Sequence, residues 1–178
     1  MSIGTDDGNR GGSRIIGSGV AHGDRARARC RVVLDTNVWL DWLVFDDPGI
    51  GWLRALHADG LCEPLTAPDA RAELALVLAR PAFGLDARGV AARLAAHDAI
   101  VTLHDAPRAP VPLVCRDSDD QKFVELAVAG GARLLLTKDR ALLALARRAA
   151  KGWGLHILRP GDAAAVAFAH ELRQCPAG

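Results

Sequence analysis

From residue 31 onward, the chain alternates between short apolar runs and longer stretches in which apolar residues recur at helical spacing. The runs with the length and composition of buried strands are RVVL, AIVTLH, RLLLT and LHIL. The stretches with helical spacing are TNVWLDWLV, GIGWLRALHADG, APDARAELALVLAR, DARGVAARLAAHD, DQKFVELAVAG and RALLALARRAAKG, followed by a last helix over 162–174. Short apolar strands separated by helices are typical of a parallel sheet covered on both faces. The pattern therefore predicts an α/β domain with three layers, α/β/α, around a central parallel sheet.

Residues 1–30 show a different composition. They are rich in glycine, contain few large apolar residues and have no sustained periodicity. Such a segment buries too little apolar surface to offset the entropy of ordering it. We expect residues 1–30 to be a flexible N-terminal extension and residues 31–174 to form the folded domain.

The overall charge of the 178-residue chain is only +1, so long-range electrostatics give no argument for a nucleic-acid partner. A site for a polyanion would have to be local, or be created by bound metal ions. The four cysteines form no CxxC pair, which favours reduced thiols in a cytosolic protein. No apolar run reaches the roughly 18 residues that a membrane span needs. The expected location is the cytoplasm.

Two carboxylates follow predicted strands. Asp35 comes directly after RVVL, and Asp139 follows RLLLT after one intervening lysine. In parallel sheets, ligands bind at the carboxyl ends of the strands, near a point where the strand order reverses. We therefore expect Asp35 and Asp139 to lie at the same edge of the sheet.

Two further carboxylates lie on the apolar faces of predicted helices. Glu73 shares its helix face with Ala70, Leu74, Val77 and Leu78. Asp120 begins the face formed by Phe123, Val124, Ala127 and Val128. A carboxylate near a core is costly unless it is paired, hydrogen-bonded or bound to a metal.

Each acid also has an ordinary structural interpretation. Asp120 and Asp139 could cap the helices that follow them. Glu73 could reach solvent or pair with Arg71 or Arg80. The coincidence of four such acids instead favours a site for a hard divalent cation such as Mg²⁺, which prefers oxygen ligands. Such an ion activates water and polarises a phosphoryl group.

Four stretches taken in order resemble the PIN domain family, and within it the toxin components of bacterial toxin–antitoxin modules. They are VVLDTNVWL, ELALVL, RDSDDQKFVELAVAGGARLLLTKDRALL and ILRP, which together span residues 31 to about 160. The resemblance implies a PIN-like fold and a Mg²⁺- or Mn²⁺-dependent endoribonuclease. It also implies an RNA substrate, a cognate antitoxin that holds the enzyme inactive, and a homodimer.

The resemblance also assigns residues by position. Asp35, Glu73 and Asp120 match the catalytic and metal-binding acids, and Asp139 matches a fourth, more variable one. The residues that match supporting polar positions are Thr36, Asn37 and Thr137. The sequence departs from the family pattern at Gln121, where a second amide or acid often stands, and at Lys138, where a small residue is frequent.

Two other functions are compatible with the sequence. A PIN fold without catalytic activity, serving as an RNA- or protein-binding module, would retain the same acids. A receiver-like domain with a phosphorylated aspartate is less favoured, because receivers place an acidic pair directly after the first strand. This chain has Asp-Thr-Asn there.

Overall fold

A single parallel sheet organises the protein in a computed structural model that describes residues 29–174. Its strands are β1 (Cys30–Leu34), β2 (Cys62–Thr66), β3 (Thr102–Leu103), β4 (Leu134–Leu136) and β5 (His156–Leu158). The order in the sheet is β3-β2-β1-β4-β5, and each adjacent pair is parallel. The chain adds β2 and β3 on one side of β1, then returns to add β4 and β5 on the other. The order therefore reverses between β1 and β4, where ligands are expected to bind.

Helices cover both faces of this sheet. They are α1 (Thr36–Leu43), α2 (Gly51–Ala58), α3 (Pro68–Leu78), α4 (Ala87–Asp98), α5 (Gln121–Ala129), α6 (Arg140–Leu143), α7 (Ala146–Trp153) and α8 (Ala163–Gln174). Two short 3₁₀ helices lie at Pro48–Ile50 and Pro81–Phe83. None of the helices within residues 29–174 has the length and hydropathy needed to cross a membrane.

The strands alternate their side chains between two hydrophobic clusters. Val33 and Leu135 point to one face, where they pack with residues of α5, α6 and α7. Val32 and Leu134 point to the other, where they pack with residues of α1, α2, α3 and α8. All four side chains are fully buried, which explains why these strands read as continuous apolar runs. The three-layer α/β/α architecture predicted from the sequence is confirmed.

The largest departure from the predicted elements is β2, which the apolar pattern does not reveal. Its sequence, CEPLT, contains a charged residue and a proline, both uncommon in strands. Pro64 is nonetheless the register partner of Val32 in the centre of the sheet. On its other side, β3 pairs with β2 only from Leu65 onward, one residue beyond the proline.

Other element boundaries differ by smaller amounts. The stretch RALLALARRAAKG, expected to be one helix, is divided into α6 and α7. The strand expected over AIVTLH has only two residues, Thr102–Leu103. At the N-terminus, β1 begins at Cys30, one residue before the predicted domain boundary, and Cys30 is buried. The rest of the proposed extension, residues 1–28, lies outside the described residues.

Candidate active site

Asp35 lies at the carboxyl end of the central strand β1. Its backbone N–H donates to the Leu136 carbonyl at 3.0 Å, so the residue still belongs to the sheet ladder. Only 4% of Asp35 is exposed to solvent. Its Oδ2 accepts hydrogen bonds from Thr137 Oγ1 at 2.5 Å and from Asn37 Nδ2 at 2.7 Å. Burial raises the pKa of Asp35 above its ordinary value, and the hydrogen bonds from Thr137 and Asn37 oppose that rise.

The predicted supporting residues Thr137 and Asn37 join the ends of the two neighbouring strands. Thr137 Oγ1 accepts the backbone N–H of Asp139 at 2.8 Å while it donates to Asp35. Asn37 Oδ1 accepts the backbone N–H of Lys138 at 3.2 Å. The loop after β4 is therefore bound to the start of α1, and this fixes the segment that carries Asp139.

Glu73 reaches this edge of the sheet from α3. Its Oε1 accepts a hydrogen bond from Thr36 Oγ1 at 2.6 Å, and its Oε2 forms an ion pair with Lys122. The expected alternative, pairing with Arg71 or Arg80, is wrong, because the guanidinium of Arg71 binds Asp98 instead. Glu73 therefore contacts α1 and the first turn of α5 at the strand ends, while 31% of its side chain remains exposed to solvent.

Asp120 immediately precedes α5 at the N-cap position. Its side chain makes no capping hydrogen bond, so the capping interpretation is wrong for this residue. Its pKa is raised to about 6, first by burial and then by the charges of Asp35, Asp139, Asp117 and Glu73. Because each of these charges acts on Asp120, all four predicted acids belong to one electrostatic cluster.

Asp139 does cap a helix. Its Oδ1 accepts the backbone N–H groups of Ala141 at 2.6 Å and Leu142 at 3.1 Å, at the start of α6. The capping interpretation is therefore correct for Asp139. Its charge is also one of those that raise the pKa of Asp120, so Asp139 belongs to the cluster as well. Asp117 accepts the backbone N–H of Asp119 at 3.0 Å. Its charge also acts on Asp120.

The placement and the chemical type of these side chains indicate whether the site suits a divalent cation. No group of three or more His, Cys, Asp or Glu side chains in residues 29–174 is placed so that it could hold an ion as it stands. The donors that converge are nonetheless all carboxylates, which suit Mg²⁺ or Mn²⁺. Burial is the main cause of the raised pKa of Asp120, and the neighbouring carboxylates add a repulsion that a cation would relieve. The residue types and charges therefore fit a hard divalent ion.

Two lysines at the site have roles that sequence reasoning missed. Lys122 pairs with Glu73 and donates to the backbone carbonyl of Asp119. Lys138, where the sequence departs from the family pattern, contacts both carboxylate oxygens of Asp41 at 2.7 and 2.6 Å. The available signal was Asp41 itself, an acid within the apolar face of TNVWLDWLV that is only 4% exposed.

The chain was compared with known proteins. A sequence model of the PIN domain matches residues 31–141, which contain all four predicted acids and more than half of the chain. A search of curated proteins gave no match.

Proposed function

Because the chain belongs to the PIN domain family, whose members are generally nucleases, we propose that it is a divalent-metal-dependent endoribonuclease. Burial and, after it, the charges of four neighbouring carboxylates raise the pKa of Asp120 to about 6, and this is the observation that carries the proposal. A cluster of like charges at the carboxyl ends of β1 and β4 is costly for the fold alone. It becomes useful if a cation binds there and brings an RNA phosphate to the same place.

In this proposal, Asp35, Glu73 and Asp120 would hold the principal Mg²⁺ or Mn²⁺ ion, and Asp139 would help to position a second ion or the attacking water. A bound ion of this kind polarises the phosphoryl group and makes its water a stronger nucleophile. The protein's own contribution is to fix the carboxylates. Thr137 and Asn37 both donate to Oδ2 of Asp35, and this restrains the orientation of that carboxylate.

Thr36 and Lys122 restrain the carboxylate of Glu73 in the same way. The Thr36 hydroxyl holds Oε1, and the Lys122 ammonium offsets the charge on Oε2. Lys122 carries its charge at the end of a flexible stem, so its ammonium could contact an RNA phosphate as well as Glu73.

The biological setting that we propose is a type II toxin–antitoxin module. This chain would be the toxin, a homodimer bound by a cognate antitoxin. The proposal rests on the resemblance of the motifs to those of PIN-family toxins. One exposed aromatic ring supports a protein partner: 60% of Phe45 is exposed, and its ring lies 6.0 Å from that of the half-buried Phe83.

The decisive experiment measures cleavage of labelled single-stranded and structured RNA by the purified full chain, first with a chelator and then with Mg²⁺ or Mn²⁺. We expect cleavage only with metal, and a loss of at least about a hundredfold in Asp35→Asn. Asp59→Asn is the matched control, because Asp59 is an exposed aspartate that pairs with Arg173 away from the cluster. Thermal unfolding of the same samples should show metal-induced stabilisation of the wild type that is much smaller in Asp35→Asn.

Two results would contradict the proposal. Equal cleavage by the wild type and Asp35→Asn would show that the activity does not arise at this cluster. RNA binding and metal-induced stabilisation without cleavage would instead indicate the non-catalytic PIN module.

A further inference from the structure

A cavity of about 530 Å³ opens beside Asp139, between the loop at 114–116 and the segment that contains α6. Asp139 itself lines the cavity, together with Val114, Arg116, Arg140 and Leu145. Its volume lies in the range of small-molecule sites. The cavity therefore adjoins the acidic cluster at Asp139.

The loop that forms one wall is held firmly in place. Leu113 and Cys115 are buried in the core, whereas Val114 is 67% exposed and Arg116 is exposed. The side chain of Gln121 accepts the backbone N–H of Cys115 at 2.7 Å and donates to the Leu113 carbonyl at 3.3 Å. Gln121, which departs from the family pattern, thus fixes the backbone that presents Val114 and Arg116.

A second contact ties the same loop to the helix across the cavity. Arg148 on α7 donates to the Pro112 carbonyl at 2.9 Å. On the opposite wall, the Asp139 cap fixes the start of α6 and hence Arg140. Both arginines that line the cavity are therefore carried by restrained backbone.

The lining combines two cationic side chains with an apolar surface. Within residues 29–174, neither Arg116 nor Arg140 takes part in a side-chain hydrogen bond or ion pair, and both are exposed. A guanidinium without a partner is well suited to bind phosphate oxygens with two parallel hydrogen bonds. Beside the arginines, Val114, Ala144 and Leu145 provide an apolar surface for a base or a ribose edge.

We propose that this cavity binds an RNA nucleotide adjacent to the scissile phosphodiester, with Arg116 and Arg140 on its phosphate and Val114 and Leu145 against its base. The inference rests on the proposed nuclease function and adds to it the residues that hold the nucleotide next to the cut. A base can lie against an apolar wall only when it is unstacked and unpaired. The nucleotide that enters the cavity is therefore unpaired.

The test measures binding of a fluorescent single-stranded oligoribonucleotide by anisotropy, with Mg²⁺ present and at several salt concentrations. The full chain carries Asp35→Asn so that the RNA stays intact. The variants added to it are Arg116→Gln, Arg140→Gln, both together, and Val114→Glu. Arg147→Gln is the matched control, because Arg147 is an exposed arginine on α7 that does not line the cavity.

Each single cavity variant should weaken binding by about threefold to tenfold, which is up to about 1.4 kcal/mol. The double arginine variant should reduce the slope of log K against log salt by about 1.4, as expected for two lost phosphate contacts on a single strand. Arg147→Gln should leave both quantities close to those of the parent. A perfectly paired duplex of the same sequence should bind the parent and the cavity variants equally.

The outcomes separate this inference from the proposed function. If the wild type cleaves RNA with metal but the cavity variants bind RNA no more weakly than Arg147→Gln, the cavity assignment is wrong and the nuclease stands. If the variants lose binding but the wild type never cleaves, the cavity is an RNA site in a non-catalytic protein. If an oligoglutamate peptide competes with RNA at equal or lower concentration, the cavity belongs to an acidic protein partner, and the inference is overturned.

Discussion

The central residue of the candidate site, Asp35, is a carboxylate at the end of the middle strand, and the side chains that bind it are neutral. Thr137 and Asn37 donate to Oδ2 of Asp35, and no described Lys or Arg pairs with it. Neutral donors orient a carboxylate without cancelling its charge. Lys138, although adjacent to Thr137 in sequence, is directed to Asp41 instead. The negative charge of Asp35 therefore remains available for a cation.

Thr137→Val tests this arrangement, because the substitution keeps the shape of a fully buried side chain and removes its hydroxyl. The hydroxyl donates to Asp35 and accepts from the Asp139 N–H, so two groups lose a partner. We expect the free energy of unfolding to fall by about 1–3 kcal/mol in urea titrations with a chelator present. The pKa of Asp35 should rise further, because a hydrogen bond that lowers it is lost.

The control is Thr137→Ser, which retains the hydroxyl and should keep most of the wild-type stability and the pKa of Asp35. A Val variant as stable as the wild type, with an unchanged titration of Asp35 by carbon-detected NMR, would show that the hydroxyl does not restrain the site.

At the scale of elements, the sequence predicts the strands and helices whose residues follow a local hydrophobic pattern. It does not predict those that depend on contacts across the sheet. The strands β1 and β4 are buried on both faces, so their apolar runs identify them and place Asp35 at the strand end. In β2, by contrast, Glu63 is accommodated by Arg31 at 3.3 Å and Thr102 at 2.8 Å, on the strands either side. Those partners lie about 30 and 40 positions away, and no window of the sequence contains them.

The same distinction applies to the candidate site. The four acids were predicted because strand ends and helix faces are local features. The partners of Glu73 depend on how α1, α3 and α5 meet: Thr36 is 37 positions away, and Lys122 is on a different helix. Only the folded structure brings these side chains together.

The packing of α5 on β2 gives a prediction at this scale through Gly130. A Cβ atom at Gly130 would lie 2.4 Å from Cδ1 of Leu65 and 3.0 Å from the Leu126 carbonyl. Because Leu65 is buried in the core, we expect Gly130→Ala to lower the free energy of unfolding by about 1–3 kcal/mol in urea titrations. The matched control is Gly152→Ala in α7, where a Cβ meets no atom within 4 Å.

Gly152→Ala should stabilise the protein by about 0.5–1 kcal/mol, because alanine is the better helix former. The same sign of effect for both substitutions would contradict the close approach of α5 to β2.

At the scale of the whole molecule, an ion pair beside a buried imidazole joins α3, the helix that carries Glu73, to α4. Arg71 on α3 binds both carboxylate oxygens of Asp98 at 2.7 and 2.6 Å. Asp98 also lies 3.0 Å from Nδ1 of His97, a fully buried side chain whose ring meets that of Trp39 on α1 at 4.5 Å. Three helices on one face of the sheet, α1, α3 and α4, therefore meet at His97.

This junction predicts how stability depends on pH. Burial lowers the pKa of His97 below 6.5, and the neighbouring Asp98 carboxylate only partly offsets that effect. Above about pH 6.5 the imidazole is neutral in the folded and unfolded chain alike, and it contributes no pH dependence. Below that pH the unfolded chain takes up a proton that the folded protein resists. The contribution of His97 to stability is therefore lost as the pH falls from about 6.5 towards its folded pKa.

Other groups change stability over neighbouring ranges, so the test is a difference between variants. Asp120, with a pKa of about 6, takes up its proton more readily when folded, which favours the folded state as the pH falls. Asp98, held at about 2 by Arg71, loses its contribution only at much lower pH. Both are present in the wild type and in His97→Asn, whose amide can replace Nδ1 as the partner of Asp98.

We expect the stability advantage of the wild type over His97→Asn to shrink as the pH is lowered from 8 to 5. The measurement is a series of urea titrations with a chelator present, which keeps metal binding out of the comparison. His170→Asn, at an exposed position on α8, should give a pH profile parallel to that of the wild type. If the His97→Asn profile is also parallel, His97 is protonated as readily in the folded protein as in the unfolded chain. The junction of α1, α3 and α4 would then be more open to water than the burial of His97 indicates.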